Sequence, residues 1–378
     1  MAPESLELPA AAPKDPFDAA PQVGSMTITR PAGTRPGADL PVVVFIHGGG
    51  FDSGSHRDAI GDYPARAGLV LVQLSYRLGL SGFTRFPGDE PRSYRGINDC
   101  LAGLEWVQKN IEDYGGDPTN VTLVGQSAGA AIALWLCRRD HFRGGFRRAV
   151  ALSPAFPRAP FSRRKASLRT ALAAPVTRRS LSKLAKSGRL KRGYRRFRAR
   201  HALDIALGPW PLEPAELAAV PLVVSSTREE MWDQPGARRL DRLKVPPRPL
   251  AAALNLPRFA TWRAGTHSVS NRAVVGDATI RRWVAAVAHQ HPYPELVRHI
   301  EFVRSDGAPA RHCDDLPALF DPADGVFAEW LAHFARTGDA GFPAGSAQRF
   351  DLATGAHQPH PGPLDYLWAC YRPDAPNR

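Results

Sequence analysis

The chain reads as an α/β protein: a mostly parallel central sheet flanked by helices, with a basic cap-like insertion. Three observations predict this. Runs such as Val42-Val43-Val44-Phe45-Ile46 are apolar without alternation, the pattern of strands buried on both faces. Such runs alternate along the chain with stretches of helical period, as parallel strands joined by crossover helices require. The pentapeptide Gly125-Gln126-Ser127-Ala128-Gly129 stands directly between the strand-like Val121–Val124 and the helix-like Ala130–Leu136. That places a serine on a sharp strand-to-helix turn, where flanking glycines relieve the crowding and the hydroxyl stands clear of the sheet edge.

The elements follow in order from about Pro41. After Val42–Ile46 comes a strand at Leu69–Ser75. A helix over Asn98–Tyr114 carries Leu101, Leu104, Trp106, Val107 and Ile111 at helical spacing. Asn98 is its candidate N-cap, and Gly115-Gly116-Asp117-Pro118 ends it. The strand and helix around Ser127 come next, then a strand at Arg148–Leu152 stopped by Ser153-Pro154. The sheet resumes at Val220–Val224. A proline-rich irregular region over about 233–276 precedes helical patterns at Ala278–His289 and Pro294–Arg298. A last strand at His299–Val303 and a helix over Gly325–Arg336 finish the pattern. Residues 1–37, rich in Pro, Ala and Gly, read as a mobile arm with one strand at Ser25–Thr29. Residues 38–378 then form one α/β domain, with the cap-like insertion at about 158–215.

A length of 378 residues and 43% hydrophobic content suit one large soluble domain. No apolar run is long enough to span a membrane. The first residues, Met1-Ala2-Pro3-Glu4-Ser5-Leu6-Glu7, lack the basic and apolar regions of a secretory signal, which predicts a cytoplasmic protein. Four cysteines without close spacing suit free thiols in a reducing compartment. The net charge of +13 is local: residues 158–200 hold 16 Lys and Arg and no Asp or Glu, which leaves the remainder at −3. Such a segment can bind nucleic acid or an anionic surface. It has few aromatics and no nucleic-acid motif, so the plainer reading is a solvated cationic cap.

A serine hydroxyl near neutral pH needs an imidazole to take its proton and a carboxylate to hold that imidazole. The strand Val42–Ile46 leads into His47-Gly48-Gly49-Gly50-Phe51, where bare backbone N–H groups can approach a reacting carbonyl. A glycine triplet after one strand and Gly-x-Ser-x-Gly after a later one is the arrangement of the α/β-hydrolase fold. There the order is Ser, then acid, then His. In that order the loop Ser226-Thr227-Arg228-Glu229-Glu230 offers Glu229 or Glu230, unless these are surface carboxylates paired with Arg228 or Arg238. The loop Ser305–His312 offers His312. His267 is the competitor but precedes the last strand, which fits the order less well.

These stretches resemble the type-B carboxylesterase family, which includes cholinesterases and bacterial carboxylesterases. The resemblance is carried by Pro41–Phe51, Tyr76-Arg77-Leu78-Gly79, Leu104–Ile111, Gly115–Thr122 leading to Ser127, Ser226–Glu230, and His312-Cys313-Asp314-Asp315-Leu316-Pro317. It covers about residues 41–336, with the middle weakly matched. The hormone-sensitive-lipase family shares the His-Gly-Gly-Gly motif. Its acid, however, is usually Asp, and its Tyr-Arg-Leu is followed by Ala-Pro.

The resemblance implies a short, N-terminally reduced bacterial-type carboxylesterase. Ser127 would be the nucleophile, Glu230 the acid and His312 the base. The N–H groups of Gly49, Gly50 and Ala128 would form the oxyanion hole, and Asp99 would be structural. The implied reaction is hydrolysis of a small-molecule carboxylic ester through an acyl-enzyme, with no metal or cofactor. Acyl transfer by the same residues, or a non-catalytic binding protein on the same fold, are the alternatives. Two departures stand out. Gln126 occupies a position where the family most often has Glu, which removes a buried negative charge beside the serine. Met231 follows the acid where the family has Gly.

Overall fold

The computed structural model describes residues 2–10, 15–321, 323 and 325–371. Its strands are β1 (Pro3–Leu8), β2 (Met26–Pro31), β3 (Leu40–Ile46), β4 (Val70–Leu74), β5 (Gly116–Gln126), β6 (Arg148–Leu152), β7 (Leu222–Thr227), β8 (Val297–Val303), β9 (Ala347–Asp351) and β10 (His357–Pro359). They form one sheet in the order β1-β2-β4-β3-β5-β6-β7-β8-β9-β10. From β4 through β9 every neighbouring pair is parallel. The edges are antiparallel: β1 on β2, β2 on β4, and β10 on β9. The predicted mostly parallel sheet is therefore present, and the Val42–Ile46 run of β3 is apolar throughout because both its faces are covered. Val42, Val44 and Ile46 pack on one side in the core that holds Leu104 and Trp135. Val43 and Phe45 pack on the other with Phe320, Leu331 and Phe334.

Several boundaries and elements differ from the sequence reading. The 1–37 stretch is not an arm apart from the sheet. Its strands β1 and β2 pair over six residues each, and Arg30 bonds Glu4 across them at 2.8 Å; Met1 and residues 11–14 lie outside the described residues. The helix before the elbow runs Arg95–Asn110, so Asn98 is inside it and not its N-cap. The Asn98 amide instead donates to Ser93 Oγ at 2.9 Å. A 3-10 turn, Ile111–Tyr114, continues it and closes on Gly115 at φ +82°. The proline-rich region is helical at Pro235–Arg242, Pro247–Ala253, Phe259–Gly265 and Asn271–Gly276. Pro235 and Pro247 each sit in a first turn, where the missing N–H costs no bond. Pro294–Leu296 is a 3-10 turn and no longer helix. Strands β9 and β10 extend the sheet past the expected last strand, and residues 372–378 of the expected domain lie outside the described residues.

Between β6 and β7 the chain inserts three helices, Phe161–Leu172, Arg178–Lys186 and Arg189–Arg200. Leu168, Leu172, Leu181, Leu184 and Phe197 are their buried side. The segment is more than a solvated charge run. Arg164 binds Asp204 and the Ile205 carbonyl, Arg178 binds Asp89 and the Phe17 carbonyl, and Arg198 binds Asp52.

Asp99 ties the segment after β4 to the helix Arg95–Asn110. Its carboxylate accepts from Arg77 Nε and Nη2, both at 2.7 Å, from the Arg77 N–H at 3.1 Å and from the Gln22 N–H at 2.9 Å. Both side chains of the ion pair are buried. Asp99→Ala would leave the Arg77 guanidinium buried without its counter-charge, so it is expected to cost about 3–5 kcal/mol, read as a lower urea midpoint.

Candidate active site

Three loops at the carboxyl ends of parallel strands meet over the sheet. The first is the turn between β5 and the helix Ala128–Leu136. Ser127 sits there at φ +56°, ψ −114°, a sparsely populated conformation that persists only where its surroundings enforce it. The Ser127 N–H donates to Leu152 O at 2.8 Å, and its carbonyl accepts from Ala131 at 3.0 Å and Ala155 at 3.1 Å. Gly129 is needed for close approach: a Cβ there would lie 2.0 Å from the Ile46 carbonyl oxygen.

The second and third loops follow β7 and β8 and are laced together. Arg228 N–H donates to Phe302 O, Glu229 N–H to Ala310 O, and Ala310 N–H returns to Glu229 Oε2 at 2.8 Å. This lacing brings together Glu230, the next residue of one loop, and His312, two residues past Ala310 in the other. Glu230 is 1% exposed. Its Oε1 accepts from Ser153 Oγ at 2.5 Å and from the Thr227 N–H at 2.8 Å, and its Oε2 meets His312 Nδ1 at 2.5 Å. His312 Nε2 lies 3.0 Å from Ser127 Oγ. Burial alone would raise the Glu230 pKa, but His312, Ser153 and Thr227 together hold it below the ordinary carboxylate value. Burial likewise opposes charge on His312, and the adjacent Glu230 carboxylate outweighs it and raises the imidazole pKa well above its usual value.

The structure thus brings Ser127, His312 and Glu230 into one hydrogen-bonded line. Glu229 turns aside and lies 3.5 Å from His267 Nε2. Burial and Arg281 push the His267 pKa down to about 4. Arg228 is ion-paired with Glu301 and Arg238 with Asp233 rather than with either candidate glutamate. Met231 takes φ +53°, the left-handed region that a glycine enters without cost.

The glycine loop rises from β3 beside the serine. His47 stacks on Tyr76 with ring centroids 4.4 Å apart, and its Nδ1 meets Gly48 O at 3.0 Å. Gly49 at φ +89° has Ser53 O 2.2 Å from where a Cβ would stand, so no side chain fits. Ala128 opens its helix, and the first N–H groups of a helix have no carbonyl partner within it.

Three partners were not read from the sequence. Ser153, which follows β6, donates to Glu230. Gln126 Nε2 donates to Cys313 Sγ at 2.9 Å and so links the elbow to the His312 loop. Asp315, fully buried with neither carboxylate oxygen hydrogen-bonded to protein, is the third. Burial, with Glu230 nearby, pushes its pKa up to about 7. The folded state therefore holds this proton long after the unfolded chain, with a pKa of about 4, has released it. Stability falls as pH rises between those values. Asp315→Asn is expected to flatten that decline, seen in urea midpoints measured from pH 4 to pH 8.

All four cysteines are free thiols. Among the described residues, no group of three or more His, Cys, Asp and Glu side chains is placed to hold a metal ion, and no helix is long and apolar enough to cross a membrane.

A family model described as the carboxylesterase family matches residues 25–191. Over these residues the chain is similar to the carboxylesterase family. The juvenile hormone esterase of Heliothis virescens is 39% identical over 134 residues, 34% of this chain and 22% of that protein. The fumonisin B1 esterase of Sphingopyxis macrogoltabida is 38% identical over 127 residues, 32% of this chain and 24% of that protein. The matched stretch is thus about a quarter or less of the length of either relative. The solved structure of the Geobacillus stearothermophilus carboxylesterase EST55 superposes with a TM-score of 0.70 at 21% identity, over 92% of this chain and 85% of that one. The chain therefore has the α/β-hydrolase fold that its motifs predict. The family match ends inside the three-helix insertion, and Glu230 and His312 both lie beyond it.

Proposed function

We propose that this chain is a serine carboxylic-ester hydrolase of the carboxylesterase family. One observation carries the reading: His312 bridges Ser127 Oγ at 3.0 Å and the buried Glu230 carboxylate at 2.5 Å. Ser127 attacks the ester carbonyl while His312 Nε2 takes its proton. Glu230 holds the Nδ1–H tautomer and stabilises the imidazolium that forms. The N–H groups of Gly49, Gly50 and Ala128 bind the oxygen that becomes negative. His312 then returns the proton to the leaving alcohol, and water, activated by the same imidazole, releases the acid from Ser127. The family match and the relatives named as esterases support this class of reaction.

The test is turnover of p-nitrophenyl butyrate together with labelling by a fluorophosphonate probe. The expected result is hydrolysis, with the label mapped to Ser127. A folded protein that neither turns over the ester nor takes the label would overturn the reading in favour of a binding protein.

A further inference from the structure

The inner face of the basic helix Arg189–Arg200 reaches the glycine loop. Tyr194 donates its hydroxyl to Asp52 Oδ1, and Arg198 donates to Asp52 Oδ2. Asp52 follows the loop directly. A Cβ on Gly50 would stand 3.9 Å from Arg198 Nη1, and one on Gly79 would stand 3.5 Å from the Tyr194 ring and 3.7 Å from Asp52 Oδ1. The guanidinium and the phenol therefore lie over the loop and reach it through one carboxylate.

The loop has reason to need such a hold. Gly49, Gly50 and Phe51 are consecutive positive-φ residues at +89°, +59° and +65°. Phe51 is not a glycine, and the left-handed region costs an L-residue about 1–2 kcal/mol. Backbone of this kind is kept only where contacts over-determine it. From the sheet side the contacts are local. The N–H groups of Asp52 and Ser53 both donate to Gly49 O, Gly79 N–H donates to Phe51 O, and the Phe51 ring packs on Phe83 at 4.6 Å. From the cap side Gly208 backs the Phe51 ring, and the polar contact is the Asp52 carboxylate.

We propose that Asp52, clasped by Tyr194 and Arg198, is a positioning residue that fixes where the Gly49 and Gly50 N–H groups point. This rests on the hydrolase reading above. It gives the basic insertion a second role besides surface charge: two of its residues complete the scaffold of the oxyanion loop. Donors aimed at a developing oxyanion act mainly on the tetrahedral state and little on bound ester. Loosening the clasp should therefore lower kcat and leave KM near its original value.

The experiment compares wild type, Asp52→Asn, Tyr194→Phe, Arg198→Ala and the double variant Asp52→Asn/Arg198→Ala. The readouts are p-nitrophenyl butyrate kinetics and hydrogen–deuterium exchange over residues 48–54. Asp52→Asn is expected to lower kcat about 10–100-fold, less than full loss of an oxyanion donor. KM should move less than about threefold. The acid limb of the pH profile should stay in place, because His312 is untouched. Exchange at 48–54 should speed up, Tyr194→Phe should move every readout in the same direction, and the double variant should be no worse than the poorer single variant, as for residues acting as a unit. Unchanged kcat with unchanged exchange, or losses that multiply in the double variant, would overturn the clasp. Exchange needs no turnover, so an inert wild type would sink the hydrolase reading while leaving the clasp to be decided by the loop itself.

Discussion

Ser127→Ala is expected to abolish ester turnover while leaving the fold intact. Alanine keeps the Cβ and loses only the hydroxyl, so the strained turn at φ +56° meets the same steric demands. The backbone bonds from Leu152, Ala131 and Ala155 are unaffected. Stability should therefore change by no more than about 1 kcal/mol. The chemistry has no substitute. A water in the vacated space would lack the fixed attack geometry, and only the oxyanion donors and binding would remain. By analogy with other serine hydrolases, kcat should fall by about 10⁴–10⁶-fold. Side-by-side p-nitrophenyl butyrate assays and a urea titration check both halves. Equal turnover in the two proteins would remove Ser127 from the mechanism.

Glu230→Gln should be nearly as damaging, for a different reason. The Gln carbonyl can still accept from Ser153 and Thr227, which leaves its NH₂ facing His312 Nδ1. An amide donor there forces the imidazole proton onto Nε2, pointed at Ser127 Oγ, and the base is then blocked. A loss of about 10⁴-fold in kcat is expected, as when the buried acid of such a triad becomes an amide. The pH profile gives an independent sign. Glu230 raises the His312 pKa by stabilising its cation, and activity needs the neutral form, so wild-type activity appears as pH rises through that pKa. Removing the carboxylate lowers it. Whatever activity remains in Glu230→Gln should therefore appear at lower pH than in wild type. A limb that stays in place would mean the carboxylate does not set the charge of His312.

The parts of the fold that could be read from the sequence are those where local pattern and tertiary role coincide. Val42–Ile46 and Arg148–Leu152 are strands because a run buried on both faces has nowhere polar to alternate. The proline-rich 233–276 stretch misled because proline breaks a helix interior but opens a helix, and composition alone does not say which position it takes. Strand β1, with Glu4, Ser5 and Glu7, lacks an apolar run because it is an edge strand, and only its pairing with β2 makes it one. For the site, strand order pointed to the two loops that carry Glu230 and His312. It did not separate Glu230 from Glu229. That choice is made by the lacing of the β7 and β8 loops, which turns one glutamate inward and the other toward His267. Ser153, Gln126 and Asp52 were invisible as partners for the same reason. Each side chain meets residues far away in sequence, and no local spacing records it.

That distance has a kinetic consequence. His312 reaches back 185 positions to Ser127 and 82 to Glu230, and the strands beneath them are joined only by long crossovers. Contacts of such separation form late, after loop-closure entropy has been paid many times over. During refolding from denaturant, ellipticity should return well before catalysis. Truncated or nicked chains that recover helix and sheet signals should stay silent in the assay. If the hydrolase reading holds, turnover would report completed topology more strictly than any spectroscopic signal of secondary structure.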